Sequence, residues 1–551
     1  MTTTSRAHWW LGLALLAACG GMAAVFQSPR RALAAMPRPA EDRNVLRIAY
    51  TQYLVPDPHR RSFPMSPQNQ FTLSLWEPLV ECDPATGQPL PAAAQSWAWS
   101  ADGLTLTLKL RPDARWSNGD LVTAQDFVRG WRRLLRQPME LAQNLFPLRN
   151  AEACYRGQLS DPSEMGVKAV DDLTLRLELD RPRSTMVAEL ADPLFAPLHQ
   201  DSEQVIAEAS YFAHPERLVT NGPFQLERAG DNGYRLKASA HYHGHEQVRL
   251  AGASFVRAGG AWSATLMLAA GVVDVVSPTP WEEVDMPTRR PVRRETELVL
   301  GVSTIGFNVT RGPLRDVRVR QALALALDRS GPIGRFNPGR MIPAWSWVPD
   351  MPGRKGLVLL KEDADEARRL LAEAGYPSGR GLPVLHMALP LWMKSDPYPP
   401  VWAERWFREL GVRTHLIYEP VAESAKRMTA AGDYDLLYGT IVATVPDAGD
   451  LMSGFLWSGE YSETKWVDPE VIGLLAGANT KTGAERLALL EKAERRIIAN
   501  VPAVPVMFER RQSMLADEVQ GWYEDPLARQ SLKRLWLAQG PAPSLSPERD
   551  L

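Results

Sequence analysis

The sequence predicts an α/β fold of more than one domain. Three observations point there. The chain has 551 residues, enough for several domains at roughly 150 residues each. Apolar residues make up 45% and charged residues 23%, which suits chains with packed cores and excludes a disordered chain, a collagen-like chain or a coiled-coil rod. Stretches of two-residue and of helical periodicity alternate through most of the length, the pattern of mixed strands and helices. Lys+Arg (62) and Asp+Glu (64) nearly cancel, to a net charge of −2. That balance gives no sign of a phosphate-binding surface, and no nucleic-acid partner is expected. Trp (18) outnumbers Phe (14) and Tyr (13), which suggests either thick cores or a surface that stacks on ligands.

The elements follow in order. A weakly basic start (Arg6, His8) precedes the apolar run Trp9 to Cys19, the pattern of a secretory signal peptide over residues 1–40. The run is too short for a comfortable membrane span of about 20 residues. Two cleavage readings stand. Leu16-Ala17-Ala18-Cys19 resembles a bacterial lipoprotein box, with Cys19 the lipidated residue, whereas Ala32-Leu33-Ala34 fits an ordinary signal-peptidase site. An uncleaved anchor is the third. All three place the bulk of the chain outside the cytoplasm, and membrane contact is expected only through the N-terminus. No later stretch approaches 18 apolar residues. Cys82 and Cys154 then remain. An oxidising compartment permits their pairing, and free thiols are an equal alternative.

Leu104, Leu106, Leu108 and Leu110 alternate with polar residues behind Asp102-Gly103, a half-buried strand after a turn. Leu173 to Leu179 repeats the pattern. Between them, Thr123 with Asp126 three residues on reads as a capping box opening a helix through Phe127 and Trp131. Further helices read at 316–328, 363–374, 400–410 and 482–499. Gly375 and Gly411 stand where two of them stop. Short strands read at 412–418, 435–438 and 504–508. The last dozen residues read as a disordered tail.

Enzyme signatures are missing from the sequence. It carries no G-x-S-x-G elbow, no H-E-x-x-H helix, no phosphate loop and no G-x-G-x-x-G. His241, His243 and His245 would share a face on a strand, but only Glu246 stands near to complete a ligand set, so a polar loop is the expectation. Asp447 and Asp450 are turn-type residues in Pro446-Asp447-Ala448-Gly449-Asp450, and nothing beside them supports acid–base catalysis. No catalytic residue, metal or cofactor is expected.

Several blocks carry a resemblance. Arg111-Pro112-Asp113-Ala114-Arg115-Trp116-Ser117-Asn118-Gly119-Asp120, continuing through Val122-Thr123-Ala124-Gln125-Asp126-Phe127, resembles the signature of the family 5 extracellular solute-binding proteins, the peptide-binding components of bacterial ABC importers. Leu75 to Val80, Gly166 to Asp172, Thr220 to Phe224, Asp316 to Leu323, Leu371 to Tyr376 and Val504-Pro505-Val506 follow in the family's order, so the likeness spans about residues 45–540. It implies an α/β, two-lobed periplasmic binding protein of type II that closes like a Venus flytrap, with an additional α/β domain in the N-terminal half. Lobe I would comprise 44–63, 196–300 and 510–540; the additional domain 64–195; lobe II 301–509; the tail 541–551. The implied function is periplasmic capture of a peptide or peptide-like solute and delivery to the permease subunits by a monomer. A non-peptide solute such as an opine or sugar, or a ligand-presenting sensor, are the alternatives.

One departure bears on the site. Peptide binders of the family read approximately G-W-x-A-D-Y after the strand at 435–438, and that Asp takes the ligand's α-ammonium. Here the run is Thr440-Ile441-Val442-Ala443-Thr444-Val445-Pro446-Asp447. Ile441 stands for the Trp and Thr444 for the Asp. Either Asp447 or another acid substitutes, or the ligand lacks a free amine, because a buried ammonium without a counter-charge is costly. Backbone pairing with ligand at Val442 and Ala443 is expected to persist. Tyr53 stands where the family's first ligand-contacting strand ends. Trp345 and Trp347 resemble an aromatic pair bordering the cleft and would share a face on a strand. Trp392 and Trp457 are further stacking candidates, whereas Trp76, Trp97, Trp116, Trp131, Trp402 and Trp406 read as core.

Overall fold

A computed structural model describes residues 43–60, 67–137, 142–279, 287–336, 339–420, 434–456 and 464–538. The expected signal peptide with Cys19, Trp457 and the tail lie outside the described residues.

The N-terminal half holds a four-stranded antiparallel sheet in the order Ala94–Trp99, Thr105–Leu110, Thr174–Glu178, Val167–Asp171. The alternating leucines decide its faces: Leu106, Leu108, Leu110, Leu175 and Leu177 are buried, and Thr105, Thr107, Lys109 and Arg176 between them are more exposed. The Ala124–Leu134 helix covers the buried face with Phe127 and Trp131. Its capping box forms as expected, with the Asp126 carboxylate accepting from the Thr123 N–H at 2.9 Å and also from the Trp116 indole.

The rest of the chain is organised on one mixed eleven-stranded sheet. One flank carries Val45–Tyr50, Gly252–Arg257, Gly233–Ala238 and Phe224–Gly230, and the other carries Leu436–Val442, Leu385–Pro390 and Thr414–Glu419. Two long strands, Val292–Phe307 and Ala503–Ala516, join the flanks. Sixteen residues at about 3.3 Å each reach roughly 50 Å, far enough to serve both. One end pairs Leu298 with Arg510 and continues to Val292 with Ala516, next to Val275–Val276. The other end pairs Val302 to Gly306 with Phe508 to Ala503, next to Leu436–Val442. The register breaks between Leu298 and Val302. A break of this kind bends the strand and increases its twist, so the two ends turn apart into two lobes.

The cores separate accordingly. One core contains the Val45–Tyr50 flank and the four-stranded sheet together. Two others lie on the far flank, one under the Val317–Ala326, Ala364–Glu373 and Tyr398–Leu410 helices, the other under the Gly483–Asn500 helix. The expected helix stops are present: Gly375 and Gly411 take φ of 94° and 70°.

Two expectations about elements need correction, and one open alternative is decided. The 504–508 strand is the start of a fourteen-residue one. Charged Glu509, Arg510 and Arg511 hid its continuation, but Glu509 and Arg511 are buried and partnered by Ser303 and Glu297. Trp345 and Trp347 lie on no strand; residues 344–348 form irregular chain after Met341–Pro343, so the two rings do not share a face. Cys82 and Cys154 are both free thiols.

Candidate functional site

The two halves meet around a cavity of about 360 Å³. Asn144, Phe146, Arg183, Glu189, Asp192 and Phe195 line one wall, and Trp347, Ile441, Val442, Thr444, Asp450 and Phe455 line the other.

The second wall is built from a strand end. Leu436–Val442 pairs along one edge with Gly301–Phe307. Along its other edge only Leu436 and Leu437 pair, so from Tyr438 onward that edge is open among the described residues. An open edge offers backbone groups to an extended ligand without reading its sequence. Past the strand, the Ala443 N–H donates to the Leu300 carbonyl at 2.7 Å. The chain then turns at Thr444, whose N–H and Oγ1 both donate to Asp450 Oδ2, joined by the Val445 N–H. Burial, with Glu189 across the cavity, raises the Asp450 carboxyl above its ordinary value, against the Thr444 hydrogen bonds and the more distant Arg183.

Trp347 floors the cavity. It is 1% exposed, donates from its indole to the Leu451 carbonyl at 2.8 Å, and meets Phe455 edge-on at 5.0 Å between centroids. Its backbone N–H and that of Val348 both donate to Glu494, which fixes the irregular segment.

The first wall is held by charge pairs. Glu189 accepts from Arg183 Nε at 2.6 Å and from the Thr185 hydroxyl at 2.6 Å. Arg529 reaches in from the C-terminal segment and bridges the two walls. Its Nη2 donates to Asp192 Oδ2 and to the Thr444 carbonyl, each at 2.8 Å.

Of the candidates named from the sequence, Ile441, Val442, Thr444 and Trp347 line this cavity, and four others do not. Ala443 is buried with its N–H already used. Asp447 caps the short helix Ala448–Leu451 and pairs with Arg486 at 2.6 Å, so its charge is neutralised away from the cavity. Tyr53 is 64% exposed and belongs to a separate hollow with Tyr50, Phe212 and Tyr234. Trp345 lies under the Arg329 guanidinium, 5.6 Å from it, outside the cavity lining. Sequence reasoning missed Arg183, Glu189 and Asp192 as site residues. Their signal was present: two acids interrupt the otherwise apolar run Met186 to Phe195.

The His241–His245 segment is the expected polar loop. His243 pairs with Glu77 at 2.8 Å and His245 with the Ser239 carbonyl. Among the described residues no group of three His, Cys, Asp or Glu side chains is placed to hold a metal. No helix among them is long and apolar enough to cross a membrane.

Comparison with known proteins agrees with this geometry. The profile of the bacterial extracellular solute-binding proteins, family 5, matches residues 88–463, more than half of the chain. The chain belongs to this family. Among relatives, the periplasmic murein peptide-binding protein MppA of Escherichia coli K12 is 26% identical over 457 residues, covering 80% of this chain and 83% of its own. The probable deoxycholate-binding periplasmic protein YgiS of the same organism is 27% identical over 479 residues, with 82% and 86% covered. A crystal structure of a periplasmic oligopeptide-binding protein from Borrelia burgdorferi superposes with a TM-score of 0.74 over 89% of this chain and 99% of that one, at 23% identity. That likeness establishes the two-lobed fold.

Proposed function

We propose that the chain is the periplasmic substrate-binding component of an ABC importer, taking up a peptide or peptide-like solute in this cavity and handing it to the permease subunits. The carrying observation is the open edge of the Leu436–Val442 strand facing a cavity whose walls come from both halves of the molecule. A volume of about 360 Å³ is at the lower end of small-molecule sites, which suits a short ligand. Closure of the halves about the break at Leu298–Val302 supplies the capture step. Residues 44–63, 196–300 and 510–540 form lobe I in this reading, 64–195 the additional domain and 301–509 lobe II. Chemistry on the ligand is no part of this reading, which follows the family of binding proteins to which the chain belongs. Ile441, Val442, Thr444 and Trp347 are the contacts retained from the sequence.

A second reading, an amphipathic non-peptide solute, draws on the apolar rings of Phe146, Phe195, Trp347 and Phe455 and on the relative named for deoxycholate. One experiment separates the two. The full chain is purified from its native host without denaturation, and solute released by acid is analysed by mass spectrometry. Peptide masses with amide-bond fragmentation support the first reading. A steroid, or any species without amide bonds, overturns it.

A further inference from the structure

The two halves also touch away from the hydrogen bonds of Arg529. The hairpin formed by Val80–Cys82 and Pro89–Pro91 stands beside the wall that carries Glu189 and Asp192, with the Cys82 thiol 3.8 Å from the Ala188 carbonyl. Its tip is a tight turn. The Asp83 N–H donates to the Gln88 carbonyl and the Gly87 N–H to the Asp83 carbonyl, while Asp83 Oδ1 accepts from the N–H groups of Ala85 and Thr86. Gly87 takes φ 71°, a conformation that by itself favours glycine. It has a second reason to be glycine. A Cβ there would lie 2.6 Å from Pro446 Cγ and 3.1 Å from Pro446 Cβ, on the opposite half of the molecule.

Pro446 follows two residues after Thr444, which lines the cavity, and it is held as firmly as the hairpin tip. The Val445 N–H donates to Asp450, the Asp447 N–H donates to the Val445 carbonyl, and Arg486 pairs with the Asp447 carboxylate. The pyrrolidine ring has no rotamer by which to withdraw. Two stiff turns therefore meet, backbone against ring, at the rim of the cavity. A hydrogen bond such as that from Arg529 to the Thr444 carbonyl can lengthen or swing, whereas atoms already in contact resist any closer approach steeply.

We propose that Gly87 and Pro446 form an end-stop for closure: their contact sets how near the two walls approach, and with that the size of solute the cavity retains. The proposal rests on the capture reading above but not on the chemical class of the solute. With glycine at 87 the walls close to a cavity of about 360 Å³. A side chain at 87 wedges the rim apart, so the smallest solutes lose one wall while larger ones keep both. The pair acts as a positioning contact, holding at a fixed separation the walls that touch solute.

The test uses the full chain, produced in its native host with solute bound, as native protein, as Gly87→Ala and as the double variant Gly87→Ala with Pro446→Gly. Mass spectrometry reads two quantities: the mass distribution of the bound solute, and the fraction retained through extended dialysis. In Gly87→Ala, solute is expected to be lost about 10-fold faster and its mass distribution to move upward. The double variant is expected to return both to native values, because removing the ring makes room for the added methyl although the left-handed strain at 87 persists. A native mass profile in Gly87→Ala overturns the end-stop. So does a change that Pro446→Gly leaves unreversed, since that reports strain within the hairpin rather than contact between the halves. Either result leaves solute capture standing, whereas a native chain that retains no solute overturns capture and end-stop together. Where Gly87→Ala fails to fold, Pro446→Phe crowds the same contact from the other side and is expected to shift the masses likewise; an unchanged profile there overturns the proposal.

Discussion

His59 shows how one side chain carries a pH dependence. It is buried, and its Nδ1 faces the Arg133 guanidinium at 2.9 Å, so the ring nitrogen accepts and the imidazole is neutral. Burial is the largest cause, and with Arg133 it outweighs Asp57 to push the ring down to about 4. Between about 4 and the ordinary value of 6.5 the unfolded chain binds more protons, so stability rises with pH across that window and is lost below it. At 1.36 kcal/mol per unit the effect is about 3 kcal/mol. His59→Gln is expected to flatten urea-derived stability between these limits; a slope equal to the native one would refute the assignment. At this scale the sequence was legible in part. Thr444 and Ile441 were visible as departures, and Trp347 as an aromatic near the cavity. Asp450 was visible only as a turn residue, because nothing local says which oxygen is spoken for. Asp447 looked equally available until Arg486, 39 positions away, claimed it.

Helices and their stops were the most readable elements, since their signals are local. Gly411 ends Tyr398–Leu410 at φ 70°, where a Cβ would sit 2.2 Å from the Ser378 carbonyl oxygen. Gly411→Ala is therefore expected to cost at least 1–2 kcal/mol in chemical denaturation, more than an unhindered left-handed glycine. The long joining strands were not readable, because their polar members are satisfied across the sheet rather than by solvent. Arg511 pairs with Glu297 at 2.6 Å with both nearly fully buried, and Glu297 also accepts from the Trp522 indole. Arg511→Met strands that carboxylate, an expected loss of about 3–5 kcal/mol, whereas the double change with Glu297→Gln recovers part of it. Equal loss in single and double variants would show that packing, not charge, dominates. The Trp345–Trp347 segment illustrates the same limit: period two suggests a strand, but Glu494 from a distant helix captures its backbone N–H groups.

At the scale of the whole molecule, Arg529 is the only described side chain that hydrogen-bonds both Asp192 on one wall and the Thr444 carbonyl on the other. In its absence the walls lose a shared donor. Arg529→Ala is expected to increase the radius of gyration of the ligand-free chain in small-angle X-ray scattering, with added ligand restoring the compact value. An unchanged radius would mean that closure rests elsewhere. The two-lobed arrangement was legible only through ordered family blocks, since hydrophobic periodicity does not report which distant segments share a sheet.

The strand that opens the fold is completed by the strand that nearly closes it. Val45–Tyr50 pairs with Val275–Val276, which pairs with Met514 and Leu515. During vectorial emergence of the polypeptide, the first strand must wait for more than four-fifths of the chain before its sheet is whole, whereas the four strands between Ala94 and Glu178 find their partners early. A ribosome stalled before residue 503 leaves a nascent chain with a finished N-terminal sheet and a ragged, adhesive edge beside it. The sheet of the first lobe is therefore complete only once residues 503–516 have emerged.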